Sequence, residues 1–521
     1  MLFLTIRRTI LSLTAAITLL VLGSYAIRIA LVVDGGQLFF WDEQRYDESI
    51  QLYRAFLVHD RTALTSLLSY PEHSGFRYLG VAVTSLQHLL AQLTPYGDFQ
   101  QPFNEWRTIK LAGVLLAGFS AANIWLVYQL ARAADAPSAE AGWAALLMAC
   151  SNTAFYFARH LLPYDAAIFM ALASAIVGAR FQSGRLSSVI AGGLAGATFH
   201  VYNGYWFLVP LLLAWHAFIR SSPVNRLKRL TYWAIGAGFS LALPLGIGCM
   251  AAGPSYLKSL VNFSRSITQG LFTEGWSLPW VYWAHSEGIP GLVVVTILLV
   301  ALVQARLRNT EIPSRIKAWL ALAVSIYATL VFFSVVLHKF TVYGRTVKPM
   351  IPFLCLAGGW ALTRLVPAKS HWTGFAVGTF IVGAVIQFAP HFNRQFPREF
   401  ENKVISTFGV PKRTLSFSGS IYAPLRLPVN RPDLLLTNMH QIYPIEAYIG
   451  VPPGDVLVSV PHPLSYLPYQ YEAHSPRERN LLRQHVPAMQ LIHLRDPETV
   501  PDDLRVSLTF DARHWPNGLD P

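Results

Sequence analysis

Charged residues are scarce in this sequence. Asp, Glu, Lys and Arg make up 13% of its 521 residues, whereas hydrophobic residues make up 53%. A soluble domain carries about twice that share of charge. Uncharged residues collect in long apolar segments, several of which exceed the roughly 18 residues that a helix needs to cross a bilayer core. The composition therefore excludes a soluble multidomain enzyme and predicts an integral membrane protein.

Cysteine is also rare, and no C-x-x-C or Cys/His metal spacing occurs among Cys150, Cys249 and Cys355. This excludes a zinc module and a disulfide framework. Cations outnumber acids by 41 to 28, which gives a net charge of +13. No dense Lys/Arg run with interleaved aromatics is present, so we expect no nucleic-acid partner. In a membrane protein, an excess of cations is typical of cytoplasmic loops.

Hydropathy predicts eleven transmembrane helices. Their expected ranges are 9–33, 108–131, 140–157, 163–180, 187–201, 204–220, 231–252, 288–305, 315–337, 346–365 and 371–390. The first follows Arg7 and Arg8 and is too long for a typical signal peptide, so we interpret it as an uncleaved helix. The predicted fold class is a polytopic α-helical membrane protein.

The distribution of cations predicts the orientation. One set of connections carries Arg132, Arg180, Arg185, Arg220, Arg226, Lys228, Arg229, Arg306, Arg308, Arg315, Lys317, Arg364 and Lys369. The alternate short connections carry mainly Arg159, Lys339 and Arg345. Under the positive-inside rule the N-terminus is cytoplasmic and the segment after the last helix is extracytoplasmic, in the cell (inner or plasma) membrane.

Two segments outside the apolar runs have patterns of their own. The first outside loop, 34–107, contains the amphipathic stretches DESIQLYRAFL and FRYLGVAVTSLQHLLAQL, which predict helices on the membrane surface. In the tail, DLLLTN, DVLVSVPH and MQLIHL predict strands, and SPRERNLLRQH predicts a helix. The chain therefore divides into a membrane domain, 1–390, and a small extracytoplasmic α/β domain, 391–521.

Five polar clusters fall at the outside ends of the predicted helices. They are WDEQRYDE (41–48), ARHLLPYD (158–165), HVYNGYW (200–206), NFSRSITQG (262–270) and HKFTVYGR (338–345). They are far apart in sequence, but the topology places all five on one surface. This convergence predicts the functional site.

Acidic residues are the first candidates in these clusters. Asp42 and Glu43 follow the first helix, and a carboxylate near the apolar boundary binds its proton more tightly, which suits a general base. The alternative is a solvated loop, with Asp47 and Glu48 at the start of the next helix. Asp165 lies beside Arg159 and His160; alternatively it only favours a helix dipole.

Cations and aromatics form the second group of candidates. Lys339 and Arg345, with Tyr343 and His338 on the same turn, are suited to a phosphate or pyrophosphate at the membrane surface. Alternatively they anchor the helix ends at the interface. Tyr202 and Asn203 belong either to an aromatic belt or to the floor of a sugar site.

An acidic pair in the first outside loop, followed by an aromatic residue, resembles the C superfamily of membrane glycosyltransferases. The motif is Asp42-Glu43-Gln44-Arg45-Tyr46, and the most similar groups are protein O-mannosyltransferase-like and lipid A aminoarabinose transferase-like enzymes. The turn at Asp165 and the segment GRTVKPMIPFLCLAGGWAL are also similar. The resemblance covers roughly residues 1–390.

The resemblance implies transfer of a sugar from a polyprenyl-phosphate carrier to a glycan, lipid or protein acceptor, with inversion at the anomeric carbon. The implied catalytic residues are Asp42, Glu43 and Asp165, and the donor phosphate would be held by Lys339, Arg345, Tyr343 and Arg159. The sugar or acceptor would be bound by Arg45, Tyr46, His160, Tyr202, Asn203 and His338. A divalent cation at Asp42 and Glu43 is an option, and no other cofactor is expected beyond the lipid-linked donor.

Three other functions stay open. A polyprenyl-linked glycan ligase normally has its key loop late in the chain rather than after the first helix. A transporter or flippase is typically built from internal repeats with polar residues at mid-membrane depth, and neither is evident here. A non-catalytic assembly protein would tolerate neutralisation of Asp42.

Overall fold

The computed structural model describes residues 2–34, 44–93, 106–180, 184–218, 223–267, 278–337, 344–366 and 370–392, together with short strand segments of the tail. Its helices are α1 Leu2–Asp34, α2 Gln44–Leu57, α3 Arg61–Leu68, α4 Ser74–Leu93, α5 Trp106–Ala133, α6 Ser138–Ala149, α7 Asn152–Phe157, α8 Tyr164–Arg180, α9 Arg185–Val201, α10 Leu208–Phe218, α11 Pro223–Ala252, α12 Ser255–Ile267, α13 Leu278–Leu307, α14 Ser314–Val331, α15 Gly344–Val347, α16 Ile351–Leu365 and α17 Ser370–Phe392.

Each of the eleven apolar segments predicted to cross the membrane coincides with helix in the structure. Six helices in the described part are long and apolar enough to span a bilayer: α1, α5, α11, α13, α14 and α17. A membrane-spanning helical protein is therefore confirmed, and the count of eleven crossings stays a prediction. The remaining apolar helices are shorter or more completely buried among their neighbours.

Small residues permit the closest helix packing. A Cβ atom added at Gly192 of α9 would collide with the carbonyl of Trp233 in α11, and one at Gly236 would collide with the carbonyl of Val189. Gly359 of α16 lies against the backbone of α6 at Glu140 in the same way. Lipid tails are as apolar as leucine, so close backbone contact rather than exclusion of water stabilises such pairs.

The first outside loop forms the predicted helices. Tyr46 and Ile50 of α2 pack against Phe76 and Val83 of α4 in a small apolar core. Helix α3 follows α2 and precedes α4 in the sequence. Its first turn is capped, because the Asp60 carboxylate accepts a hydrogen bond from the backbone N–H of Ala63 at 3.0 Å. The predicted position of these helices on the membrane surface stays a prediction.

Four predicted helices differ from the structure in their bounds. The segment 140–157 is two helices, because Ser151 interrupts the run and caps α7. The segment 204–220 begins with a 3₁₀ turn at Asn203–Tyr205, and 315–337 ends in a π-helix at Phe332–Val336. The segment 346–365 starts as α15 and a 3₁₀ turn at Lys348–Met350, where Pro349 lacks the N–H that a continuous helix needs.

Four of the cations assigned to cytoplasmic connections make contacts at one end of the bundle. Arg180 donates to Gln129, Arg229 to the carbonyl of Gly178, Arg315 to Glu140 and Arg364 to Thr310. These contacts join α5, α6, α8, α11, α14, α16 and the connection before α14 at the end that is predicted to face the cytoplasm. We call it the cationic end.

The three strands predicted in the tail are present. Leu434–Asn438 pairs in parallel with Val456–Val460, which pairs antiparallel with Ile492–His493. A further pair joins Arg413–Thr414 and Pro428–Val429. The helix predicted at 475–485 lies outside the described residues, so the α/β domain and its boundary at 391 stay predictions.

The orientation of the tail can be tested directly. With Arg7 and Arg8 in the cytoplasm and an odd number of crossings, the C-terminus is expected outside. A reporter that fluoresces only in the cytoplasm, fused after Pro521, should therefore stay dark, while alkaline phosphatase fused at the same place should be active. The opposite pair of signals would mean that one crossing is miscounted.

Candidate functional site

The turn between α3 and α4 is fastened to the end of α9. The backbone N–H of His73 donates to Asn203 Oδ1 at 2.8 Å, and the backbone N–H of Asn203 donates to His73 Nδ1 at 3.1 Å. Ser74 Oγ lies 3.2 Å from His200 Nδ1. The His73 ring stacks on Tyr202, with ring centroids 5.0 Å apart. Asn203 and Tyr202, both predicted to bind sugar, thus also hold the first outside loop in position.

Two ion pairs fix the start of α2 against this turn. Arg45 pairs with Glu72, and Arg77 Nη2 lies 2.8 Å from Glu48 Oε2. The Tyr70 hydroxyl donates to Glu72 at 3.1 Å; partial burial and the Glu72 carboxylate raise the pKa of Tyr70 to about 12, so it stays protonated. Helix α2 itself begins at Gln44, directly after the Asp42–Glu43 pair in sequence.

Three buried tyrosines pack together next to this turn. The Tyr164 ring meets Tyr202 edge-on at 4.8 Å, and Tyr202 meets Tyr205 at 4.7 Å. Arg345 Nη1 donates to the Tyr164 hydroxyl at 2.8 Å, and the Tyr205 hydroxyl donates to the Arg345 carbonyl at 2.8 Å. These contacts dock the 344–350 segment on the starts of α8 and α10.

A buried ion pair between Lys348 and Asp165 lies next to these tyrosines. Lys348 Nζ is 2.7 Å from Asp165 Oδ1, and the two side chains are 1% and 8% exposed. Asn123 of α5 donates to the backbone carbonyl of Asp165 at 3.0 Å, and the Lys348 ammonium lies 5.0 Å from the centre of the Phe157 ring. In this structure Asp165 holds Lys348 in place, and its predicted catalytic role stays a prediction.

Arg28 of α1 brings a second cation to the Asp165–Lys348 pair. Its side chain is fully buried, its Nε donates to Ser120 at 3.0 Å, and its guanidinium interacts with the charge of Asp165. Nη1 bonds to Ser24 one turn earlier, whereas Nη2 has no hydrogen-bond partner. An arginine within a membrane helix is costly, and such residues usually mark functional sites.

A network of hydrogen bonds connects α13, the start of α7 and the end of α17. Glu287 of α13 accepts hydrogen bonds of 3.0 Å from the Ser151 hydroxyl and from the backbone N–H groups of Asn152 and Thr153. Asn152 Oδ1 lies 2.8 Å from His391 Nε2, and the His391 carbonyl accepts a bond from Arg159 at 3.1 Å. Arg159 is thereby tied to the end of α17.

Several cations gather in this region. Among the described residues, Arg28, Arg159 and Lys348 are buried and Arg345 is partly exposed, and the acids near them are Asp165 and Glu287. In a low dielectric, buried cations attract an anion more strongly than they would in water. We call Arg28, Arg159, Arg345 and Lys348 the cation cluster.

An apolar pocket of about 270 Å³ opens beside the turn at Asn203. Its walls are Phe199, Trp206, Leu260, Phe263 and Phe333, with Asn203 and Ser264 as polar members. They come from the end of α9, from the amphipathic helix α12 and from the π-helix. The pocket therefore offers aromatic and aliphatic surface next to the polar site.

Members of three of the five polar clusters are in contact, because Tyr164 contacts both Tyr202 and Arg345. Phe263 of a fourth cluster reaches His73, which stacks on Tyr202. The described residues of the first cluster lie within the loop. Tyr46 is buried in the loop core, with its hydroxyl 3.2 Å from Gln87 and from Thr84. Arg45 contacts Glu72. Both residues thus have a packing role in this structure, and their predicted sugar contact stays a prediction.

His160 is buried next to the Tyr156 ring, at a centroid distance of 5.2 Å. Asp42, Glu43, His338, Lys339 and Tyr343 lie outside the described residues, so their roles stay predictions. Within the described part of the chain, no group of three or more His, Cys, Asp or Glu residues could hold a metal ion. The predicted metal site at Asp42 and Glu43 is therefore not tested.

Sequence analysis missed Arg28, Lys348 and Glu287. A signal was present for Arg28, since a charged residue inside an apolar run predicts function by default. Lys348 lies three residues after Arg345, a helical spacing that places both on one face. Glu287 immediately precedes the apolar run 288–305, and nothing in the sequence indicates that its partner is the start of α7.

The fold and these contacts define the class: a polytopic helical membrane protein with a buried cationic site at one end. The chain is similar to ArnT from Cupriavidus metallidurans, in the apo state and bound to undecaprenyl phosphate, with TM-scores of 0.51 and 0.52. Identity is 13%, and the match covers 94% of this chain and 99% of ArnT. The predicted resemblance to the C superfamily of membrane glycosyltransferases is thereby confirmed for the fold.

A second similarity is weaker. The Archaeoglobus fulgidus oligosaccharyltransferase AglB, solved with an inhibitory peptide and a dolichol phosphate, matches with a TM-score of 0.39 and 13% identity over 71% of this chain and 55% of AglB. That score is too low to carry an argument. No protein-family model and no curated protein sequence matches the chain.

Proposed function

We propose that this protein is a glycosyltransferase that moves a sugar from a polyprenyl-phosphate carrier to an acceptor on the extracytoplasmic face of the membrane. The observation that supports this most is the cation cluster, buried at the end of the bundle opposite the cationic end. Buried arginine and lysine side chains next to lipid are suited to a lipid-borne phosphate. The shared fold with ArnT, solved with undecaprenyl phosphate, supports the same class of donor.

In the proposed reaction, an acceptor hydroxyl or amine attacks the anomeric carbon of the donor sugar. The bond from that carbon to the phosphate oxygen breaks, a bond to the acceptor forms, and Asp42 takes the acceptor proton. The negative charge that develops on the leaving phosphate is stabilised by cations already in place, which costs no reorganisation during the reaction. Attack opposite the leaving phosphate inverts the anomeric centre.

The other groups have supporting roles in this proposal. Lys348 and Arg345 face the phosphate, with Lys339 and Tyr343 contributing from the preceding segment. Asp165 orients Lys348, and Glu43 supports Asp42. The sugar is bound near Tyr202 and Asn203, as the sequence predicts, and the pocket beside Asn203 takes the first isoprene units of the carrier.

The function is tested with purified protein, a series of polyprenyl-phosphate sugars and a membrane extract as the source of acceptor. We expect one donor to be consumed with release of polyprenyl phosphate, and cells that lack the protein to accumulate that lipid-linked sugar. Movement of the intact lipid across a vesicle membrane without cleavage would support the flippase alternative and contradict the proposal.

Arg345→Ala is expected to reduce turnover by about tenfold to a hundredfold, since a charge-assisted contact contributes about 1.5–3 kcal/mol. Lys339→Ala should behave similarly. The matched control is Arg364→Ala, which removes an exposed cation from the opposite end of the adjoining helix. Steady-state transfer and detergent melting temperature are measured on the same samples. Unchanged kinetics in both site variants would mean that the two residues only anchor helix ends.

A further inference from the structure

The contact between the turn before α4 and the end of α9 requires one protonation state of His73. The Asn203 backbone N–H donates to His73 Nδ1 at 3.1 Å, and the His73 backbone N–H donates to Asn203 Oδ1 at 2.8 Å. A backbone amide nitrogen can only donate, so Nδ1 must accept and carries no proton. In neutral imidazole the other nitrogen, Nε2, is then the protonated one. The fastened turn therefore contains a neutral ring.

A second proton on the ring would remove this acceptor. An imidazolium donates from both nitrogens, so Nδ1–H would point at the Asn203 N–H, and two donors cannot share a contact of 3.1 Å. The adjacent contact has no such restriction. Ser74 Oγ lies 3.2 Å from His200 Nδ1, and a hydroxyl rotates to donate or to accept. His73, rather than His200, is therefore the residue whose protonation breaks the contact.

The backbone around His73 is held in a costly conformation. His73 has a φ of 43°, in the left-handed region that residues other than Gly, Asn and Asp rarely adopt. Gly75, in the first turn of α4, lies so close to α9 that an added Cβ atom would be 2.6 Å from the carbonyl carbon of His200. Such a conformation persists only while the surrounding contacts impose it. Loss of the bond at Nδ1 therefore favours relaxation of the turn away from α9.

Two neighbours attract a charged His73 ring, but neither acts at Nδ1. Glu72 Oε1 lies 3.6 Å from Nε2, and this carboxylate also binds Arg45. The Tyr202 ring stacks on the face of the imidazole at 5.0 Å, where a cation is weakly favoured. These contacts stabilise the added charge without restoring the bond that the Asn203 N–H loses. The titratable and charged groups that the described residues place around the ring are Glu72, Arg45, Arg77, Tyr202 and His200.

We propose that His73 is a pH-dependent switch of the first outside loop, which holds the turn on α9 while its ring is neutral and releases the turn when the ring is protonated. A free imidazole titrates near about pH 6.5. Because the fastened turn excludes the second proton, fastening is fully favoured above that pH and weakens by about tenfold for each pH unit below it. Release moves the turn away from Asn203 and Phe263, which line the pocket at the end of α9. Such a switch would act whatever reaction the protein catalyses.

The test measures the distance between α3 and α11 by double electron–electron resonance on the full-length protein in detergent. Spin labels are attached at Ser66→Cys and Met250→Cys, both exposed positions, after Cys249→Ser has removed the native cysteine that is not buried. The wild-type loop should give one distance at about pH 8 and a second distance below about pH 6. The ratio of the second population to the first should rise by about tenfold per pH unit.

His73→Asn is expected to keep the single distance down to about pH 5, since its side-chain oxygen can accept from the Asn203 N–H and asparagine tolerates the positive φ. Gly75→Ala should show the second distance already at about pH 8, because its methyl group separates the turn from α9. The matched control is His88→Asn, which removes another histidine of the same loop and should keep the wild-type response.

A wild-type loop with a single distance down to about pH 5 would overturn the proposal. A pH response that persists in His73→Asn would also overturn it, because another group would then control release. The same holds for a His73→Asn variant that is released at about pH 8, because an acceptor oxygen would then be insufficient to hold the turn. Loss of the response in His88→Asn would assign the titration to His88 instead.

Discussion

Asp42→Asn is expected to lower sugar transfer by at least about a hundredfold while leaving expression and melting temperature unchanged, because a positioned general base contributes about 10²–10⁴ to a rate. Asp42 lies two residues before α2, and α2 is fixed by the pairs Arg45–Glu72 and Arg77–Glu48. The amide is nearly the same size but accepts no proton.

The measurement is single-turnover transfer with the enzyme in excess over the donor, which separates the chemical step from product release. Asp47→Asn is the matched control, because it removes the same charge from the same segment but lies within α2. A fall in both variants would indicate a general charge effect on the loop. Near-wild-type turnover in Asp42→Asn would remove Asp42 from the mechanism and favour the non-catalytic alternative.

Hydropathy predicted the helices because it measures how apolar a segment is, and a bilayer accepts only apolar segments in its core. A chain in lipid must satisfy its backbone groups internally, so an apolar run of sufficient length is a helix whatever its neighbours are. All eleven predicted segments are helical for this reason. The interruptions escaped prediction, because a break such as that between α6 and α7 depends on partners supplied elsewhere: Glu287 occupies the start of α7 from 135 residues away in sequence.

The interruptions are concentrated where the candidate site lies. The start of α7, the turn at Asn203–Tyr205, the π-helix at Phe332–Val336 and the turn at Lys348–Met350 all lie at the same end of the bundle. Irregular backbone is tolerated at membrane depth where protein buries it or where it lines a cavity. The breaks in the predicted helices therefore mark the end of the bundle that carries the candidate site, although only the structure reveals where these breaks are.

Topology predicted which end of the bundle carries the site, but not which side chains pair. Positive-inside counting put Asp165 and Arg345 on one surface, which the structure confirms through their neighbours Tyr164 and Lys348. It could not show that Asp165 is paired, because its partner Lys348 is 183 residues away and sits in a segment that reads as an ordinary apolar helix. Pair formation depends on packing, and packing leaves no periodic signal in a single sequence.

Lys348→Met is expected to lower both stability and transfer. Breaking a buried ion pair by removing one partner typically costs about 3–5 kcal/mol, because the other charge is left uncompensated. The loss of a cation that faces the leaving phosphate should in addition reduce turnover by at least about a hundredfold. Both quantities are measured on one preparation, as melting temperature in detergent and as turnover at saturating donor.

The double variant Asp165→Asn/Lys348→Met separates the two effects, since it removes the pair without stranding a charge. If the pair is only structural, melting temperature and transfer should both return toward wild type. If Lys348 stabilises the departing phosphate, the melting temperature should recover while turnover stays as low as in Lys348→Met. Asp165→Asn alone should keep more activity than either, because the ammonium group remains although its orientation is no longer fixed. Recovery of turnover in the double variant would therefore mean that Arg28, Arg159 and Arg345 bind the phosphate and that Lys348 has only a packing role.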